Sequence, residues 1–147
     1  MKYTYQTIFG VGGNCFQACL AAIMECPLDK VPHFMEGMTE ARPWTQEEWD
    51  EVWKWHNDHG WRIYWLDPDD EEDWHYWIPR LKESCLHYIA NVKSVYGGHS
   101  VVGHRGELVF CPNGGDPSTY GEPYCYYVLE RLPAECPSTP TSAKGEA

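Results

Sequence analysis

From residue 85 onward the chain reads as a series of short strands. The stretches 85–93, 99–103, 107–111 and 124–131 are rich in β-branched and aromatic residues and are separated by Gly- or Pro-rich turns, whereas the segments before them carry helical periodicity. Helices first and strands second predict an α+β fold, with N-terminal helices packed on a C-terminal antiparallel sheet. The alternating order of a doubly wound parallel sheet is absent. At 147 residues the chain has the length of one ordinary domain, and a domain of this size buries roughly 70% of the surface its unfolded chain exposes. We expect a single domain over 1–133. The Pro-, Ser- and Thr-rich residues 134–147 are expected to form a disordered tail.

Within the first half, "KYTYQTI" alternates enough for a short strand and "GVGG" reads as loop. Asn14 is a good N-cap, after which Phe16, Cys19, Leu20, Ile23 and Met24 recur at helical spacing until Pro27. "PLDKVPHF" reads as a short helical turn or linker and "MEGMTEARPW" as loop. Thr45 and Glu48 form a capping box for a helix over about 45–59, ended by Gly60. "WRIYWL" alternates as a strand, "DPDDEED" is an acidic turn, and "WHYWIPRLKES" holds another short helix around Pro79. All 8 tryptophans and eleven of the 22 acidic residues lie between Trp44 and Trp77. This 44–77 stretch reads as an acidic helical segment that packs on the sheet through its indoles, or alternatively as a protein-partner surface.

A formal charge of −11 leaves no basic patch for a phosphate backbone, so a nucleic-acid partner is not expected. No run of 18 apolar residues is present and "MKYTYQTIFGVGGNC" lacks the apolar core of a secretory signal, so no membrane partner and a cytoplasmic location are expected. The seven cysteines (15, 19, 26, 85, 111, 125 and 136) are odd in number and contain no CxxC pair, which favours reduced thiols. A metal held by Cys15, Cys19 and histidines is a minor alternative, because no second ligand pair has zinc spacing.

Cys15 falls in the first turn of its predicted helix. There the partial positive charge and free N–H groups of a helix N-terminus lower a thiol pKa and can also receive an oxyanion. Gly12 and Gly13 in front of it would let a substrate backbone come close. A general base must be held rigidly near such a nucleophile. In "YGGHSVVGHRGELVFCP", which reads as a β-hairpin turning at Gly103 to Gly106, His99 is the best-placed candidate. The other histidines have surface or packing readings. With a three-residue hairpin loop, Cys111 would lie across from His99, and a one-residue change of register would alter that facing. Asn113 and Asp116, in "PNGGDP", are further candidates to orient the imidazole.

"GGNCFQACLAAI" together with "GGHSVVGHRGELVFCP" resembles the papain-like cysteine peptidase superfamily, in particular small bacterial and phage-type domains similar to bacteriocin-processing peptidases. The resemblance covers roughly residues 5–117. It implies that Cys15 is the nucleophile, His99 the base and Gln6 an oxyanion-hole side chain. Cys111-Pro112 stands where the family has Asp-Pro, so the third catalytic position holds a thiol. The implied activity is that of a cysteine peptidase, amidase or isopeptidase that uses no cofactor, works through an acyl-enzyme and acts on a peptide or protein; the acidic net charge suggests that this substrate is basic or neutral. The alternative is a papain-like pseudoenzyme or protein-binding module that has lost the third triad residue.

Overall fold

In the computed structural model, residues 1–10, 12–36, 44–95 and 97–133 are described. The region 134–147, expected to be a disordered tail, lies outside them, as do residues 37–43 of the predicted loop. Three α-helices, α1 (Cys15–Met24), α2 (Gln46–Asp58) and α3 (Ile78–Glu83), accompany five strands. These are β1 (Trp61–Leu66), β2 (His87–Ser94), β3 (Gly97–His104), β4 (Glu107–Phe110) and β5 (Cys125–Arg131). The strands form one sheet in the order β1-β5-β2-β3-β4 with every pairing antiparallel. The predicted α+β architecture with an antiparallel sheet is therefore present.

Alternation of side chains across the strands sorts the core into two layers. On one face, Ile63, Ile89, Val102, Tyr127 and Leu129 pack with α1, whose Phe16, Cys19, Leu20, Ala21 and Ala22 are all buried. Phe16 meets the Tyr127 ring edge-on at 5.0 Å. Seven of the ten residues of α1 are buried, so this helix is fixed by packing on nearly all sides. On the other face, Tyr88, Ala90, Val92, Val101, Cys111 and Tyr126 are covered by Ile78 and Leu81 of α3.

The Thr45 capping box is formed as predicted: Thr45 Oγ1 accepts from Glu48 N–H, and Glu48 returns a bond to Thr45 N–H. The 44–77 stretch is not a helical unit set on the sheet. Its middle, β1, is the edge strand of the sheet and pairs with β5 from Trp61↔Arg131 to Leu66↔Tyr126. Its indoles divide accordingly: Trp44, Trp49, Trp55 and Trp61 pack against the core, whereas Trp53, Trp65, Trp74 and Trp77 are exposed. The N-terminal "KYTYQTI" does not form a strand. It is tied down by the Tyr3 and Tyr5 rings on Phe110 and by Gln6 N–H donating to Pro112 C=O.

α2 also carries a buried histidine. His56 packs against the Phe34 and Trp55 rings and donates from Nδ1 to Val52 C=O, leaving Nε2 buried without a partner. Burial pushes its pKa down to about 4. Between pH 6.5 and 4 the unfolded chain binds a proton that the folded chain refuses, so stability falls as pH drops through this window. The loss is about 3 kcal/mol. Urea unfolding at pH 7 and near pH 4 should show this fall in the wild type and a smaller one in His56→Gln.

Candidate active site at the α1 N-terminus and the β3 edge

Cys15 is the first residue of α1, and its position depends on Asn14 in an unexpected way. Asn14 occupies the N-cap, but its side chain makes no cap bond. Instead Oδ1 accepts the N–H groups of Thr7 and Ile8 at 2.9 and 2.8 Å, and Nδ2 reaches Thr7 Oγ1 and Gln17 Oε1. The loop before the helix is thereby folded back on itself. The first helical N–H groups have no side-chain cap, which leaves them to the Cys15 sulfur and to whatever enters the site. Gly13 serves this fold-back rather than substrate access: a Cβ there would meet Ile8 C=O at 2.7 Å and Gly10 C=O at 2.9 Å.

On the sheet side, β4 ends at Phe110 opposite Val102, so residues 99–101 of β3 have no β4 partner. Ser100 N–H donates to Cys15 Sγ at 3.3 Å instead. The Ser100 hydroxyl is anchored on Asn91 Oδ1 at 2.8 Å, which ties this contact to β2. The thiol of one sequence motif thus meets the backbone of Ser100, the residue next to His99, 85 positions away in the chain.

His99 is the third residue of β3, and its Nε2 lies 3.2 Å from Cys111 Sγ. The expected register is not the one found. The hairpin turns on Arg105 and Gly106 alone, both at positive φ, so His104 pairs with Glu107 and Gly103 with Leu108. Continued unbroken, that register would set Cys111 opposite Ser100 on the wrong face. A bulge between Val102 and Gly103 moves the pairing on by one residue, so that Val102 faces Phe110. Cys111 then shares a face with Val101 and His99, as a diagonal neighbour of the imidazole rather than its direct opposite.

The hydrogen-bond directions around Cys111 are determined by its neighbours. Its S–H donates to Asn113 Oδ1 at 2.7 Å, and that oxygen also accepts Gly115 N–H at 2.7 Å. With its proton directed there, the sulfur accepts from His99, which puts the imidazole proton on Nε2 and the lone pair on Nδ1. Asn113 therefore acts on His99 through Cys111. Tyr120 adds its ring 5.5 Å from His99, with its hydroxyl 3.8 Å from Cys111 Sγ. Asp116 is not part of this cluster, because its carboxylate accepts from Ser118 N–H and Oγ in the following 3-10 turn.

Burial lowers the His99 pKa, so the ring is neutral at pH 7. Burial also pushes the Cys15 thiol up, opposed by N–H donation from Ser100 and Phe16. The depressed thiol pKa expected of a helix N-terminus is therefore not found. The resting site holds a thiol and a neutral imidazole rather than a thiolate–imidazolium pair.

Cys15 and His99 line one cleft of about 520 Å³, together with Gln6, Asn113 and Tyr120. Neither a family model, a curated protein nor a solved structure matches the chain. Gln6 is 7% exposed; its Nε2 donates to Ile8 C=O at 2.9 Å, and its Oε1 is buried without a partner. Four of the six residues singled out from sequence, Cys15, His99, Gln6 and Asn113, thus share the cleft, Cys111 stands behind His99, and Asp116 is turned away. Sequence reasoning missed Ser100 and Tyr120, and no local signal marks either one. Among the described residues no three His, Cys, Asp or Glu side chains come together as a metal site, and all six described cysteines are free. No helix among the described residues is long and apolar enough to cross a membrane.

Proposed function

We propose that this chain is a cysteine-dependent hydrolase of amide bonds, with a papain-like arrangement of nucleophile and base. The observation that carries the reading is the meeting of Cys15, at a helix start free of a side-chain cap, with β3 at the residue beside His99, in a cleft that also contains Gln6. Because both partners rest neutral, His99 acts as a general base. Nδ1 takes the thiol proton as Cys15 Sγ attacks the carbonyl carbon, the S–C bond forms, and the carbonyl electron pair moves onto oxygen. The Cys15 and Phe16 N–H groups, with the second Nε2 hydrogen of Gln6, are the donors available to that oxyanion. Collapse breaks the C–N bond and His99 returns the proton to the departing amine. Water, deprotonated by His99, then attacks the thioester, releasing the acid and restoring the thiol.

Cys111 limits this chemistry. A neutral sulfur orients the ring through Nε2–H but does not stabilise imidazolium as a carboxylate does. The same substitution favours a second reading, a binding module that has kept the cleft and lost turnover. Hydrolysis of a panel of peptidyl aminomethylcoumarin amides separates the two. The hydrolase reading predicts coumarin release that disappears in Cys15→Ala; no release from any amide, or release unaffected by Cys15→Ala, contradicts it.

A further inference from the structure

The cleft differs in charge from the rest of the chain. Although 22 acidic residues face 11 Lys and Arg, among the described residues no carboxylate lines the cleft and one Lys or Arg, Lys93, does. Lys93 is exposed next to the end of β2, opposite Gly98, where the Tyr124 hydroxyl takes the place of a side chain. Lys93 forms no ion pair among the described residues. Two further features indicate what lies beside an anion there. The buried, unpartnered Oε1 of Gln6 is an acceptor without a donor, which an amide N–H would satisfy. Phe9 and Val95, 62% and 92% exposed, give the same cleft an apolar margin.

We propose that the cleft takes an amide carrying a carboxylate close to the scissile carbonyl, with that carboxylate seated on the Lys93 ammonium and the apolar flank of the substrate against Phe9 and Val95. The proposal rests on the hydrolase reading for the bond that is cut, whereas the anion preference belongs to the cleft itself. It departs from the basic or neutral substrate that net charge suggests. Half of the acidic residues lie in the 44–77 segment, none of which lines the cleft. Beyond about 8–10 Å salt screens such charges, while a lysine in contact with the ligand is screened far less.

Competition between iodoacetate and iodoacetamide tests this on a single covalent event. In both reagents the S–C bond forms as C–I breaks, with iodide leaving and the thiol proton lost, and the two differ in charge. At mildly alkaline pH, peptide mass spectrometry gives the iodoacetate-to-iodoacetamide ratio at Cys15, normalised to the ratio at the exposed Cys85. The expected normalised ratio is about 5 or more in low salt, falling towards about 1 in high salt or in Lys93→Met and below 1 in Lys93→Glu. A wild-type ratio of about 1, or a ratio unmoved by Lys93→Glu, overturns the proposal. A Lys93-dependent preference without amide turnover leaves the anion site standing and the hydrolase reading lost. Turnover without the preference does the reverse.

Discussion

Replacing Cys111 with aspartate should raise kcat/KM for amide cleavage by about 10²-fold, part of the roughly 10⁴ by which an orienting carboxylate matters in a serine triad. The position is prepared for it. Cys111 is buried, already in contact with His99 Nε2, and flanked by Asn113, whose amide can turn to donate to a carboxylate where its oxygen now accepts S–H. An anion there stabilises the imidazolium formed as Cys15 attacks, and it raises the His99 pKa from its present lowered position. The substitution should cost about 1–3 kcal/mol of stability, since turning the Asn113 amide to donate to the carboxylate takes its Oδ1 away from Gly115 N–H. Kinetics on the best amide, with His99 titrated by NMR, read both effects. An unchanged rate and unchanged His99 pKa in a folded Cys111→Asp variant would show that this position does not act on the imidazole.

His99→Ala should lower the acylation rate by about 10³-fold near neutral pH, within the range general-base catalysis supplies. The loss has a distinctive pH dependence. Because the Cys15 thiol sits above its ordinary pKa, little thiolate forms at pH 7 without a base, and among the described residues no other His and no Asp or Glu lines the cleft. As pH rises past the thiol pKa, hydroxide replaces the imidazole and the gap between variant and wild type narrows. If His99 only propped up the fold, the deficit would persist at all pH values. Stopped-flow acylation with an activated ester across pH 6–10 distinguishes the two.

The parts of this arrangement that were legible in the sequence are those set by neighbours along the chain. The Thr45 and Glu48 box, the helix after Asn14 and the strands expected over 85–93 and 99–103 depend on local spacing, and all appear in the structure, the strands as β2 and β3. Cys15 and His99 were legible as residue types placed at a helix start and on a strand. What sequence missed depends on long-range pairing or on one residue of register. Asn14 looks like a cap but holds Thr7 and Ile8. The Cys111 facing depends on a bulge that no turn residue announces. β1 joins the sheet through β5, 60 to 70 residues away, so "WRIYWL" reads as a strand whose partner is invisible locally. Lys93 gains meaning only when its strand is seen to border the cleft and the acidic residues are seen to lie elsewhere.

The pairing of Cys15 with His99 as one reactive unit is tested most directly by the mass of the protein itself. The wild type is mixed with a peptidyl p-nitrophenyl ester, quenched in acid within a second, and mapped by peptide mass spectrometry. The account predicts one acyl equivalent, located on Cys15, that disappears with time and is absent at the same delay in His99→Ala. Acylation spread over Cys85 and other exposed thiols, with none on Cys15 or with equal labelling in His99→Ala, would contradict it.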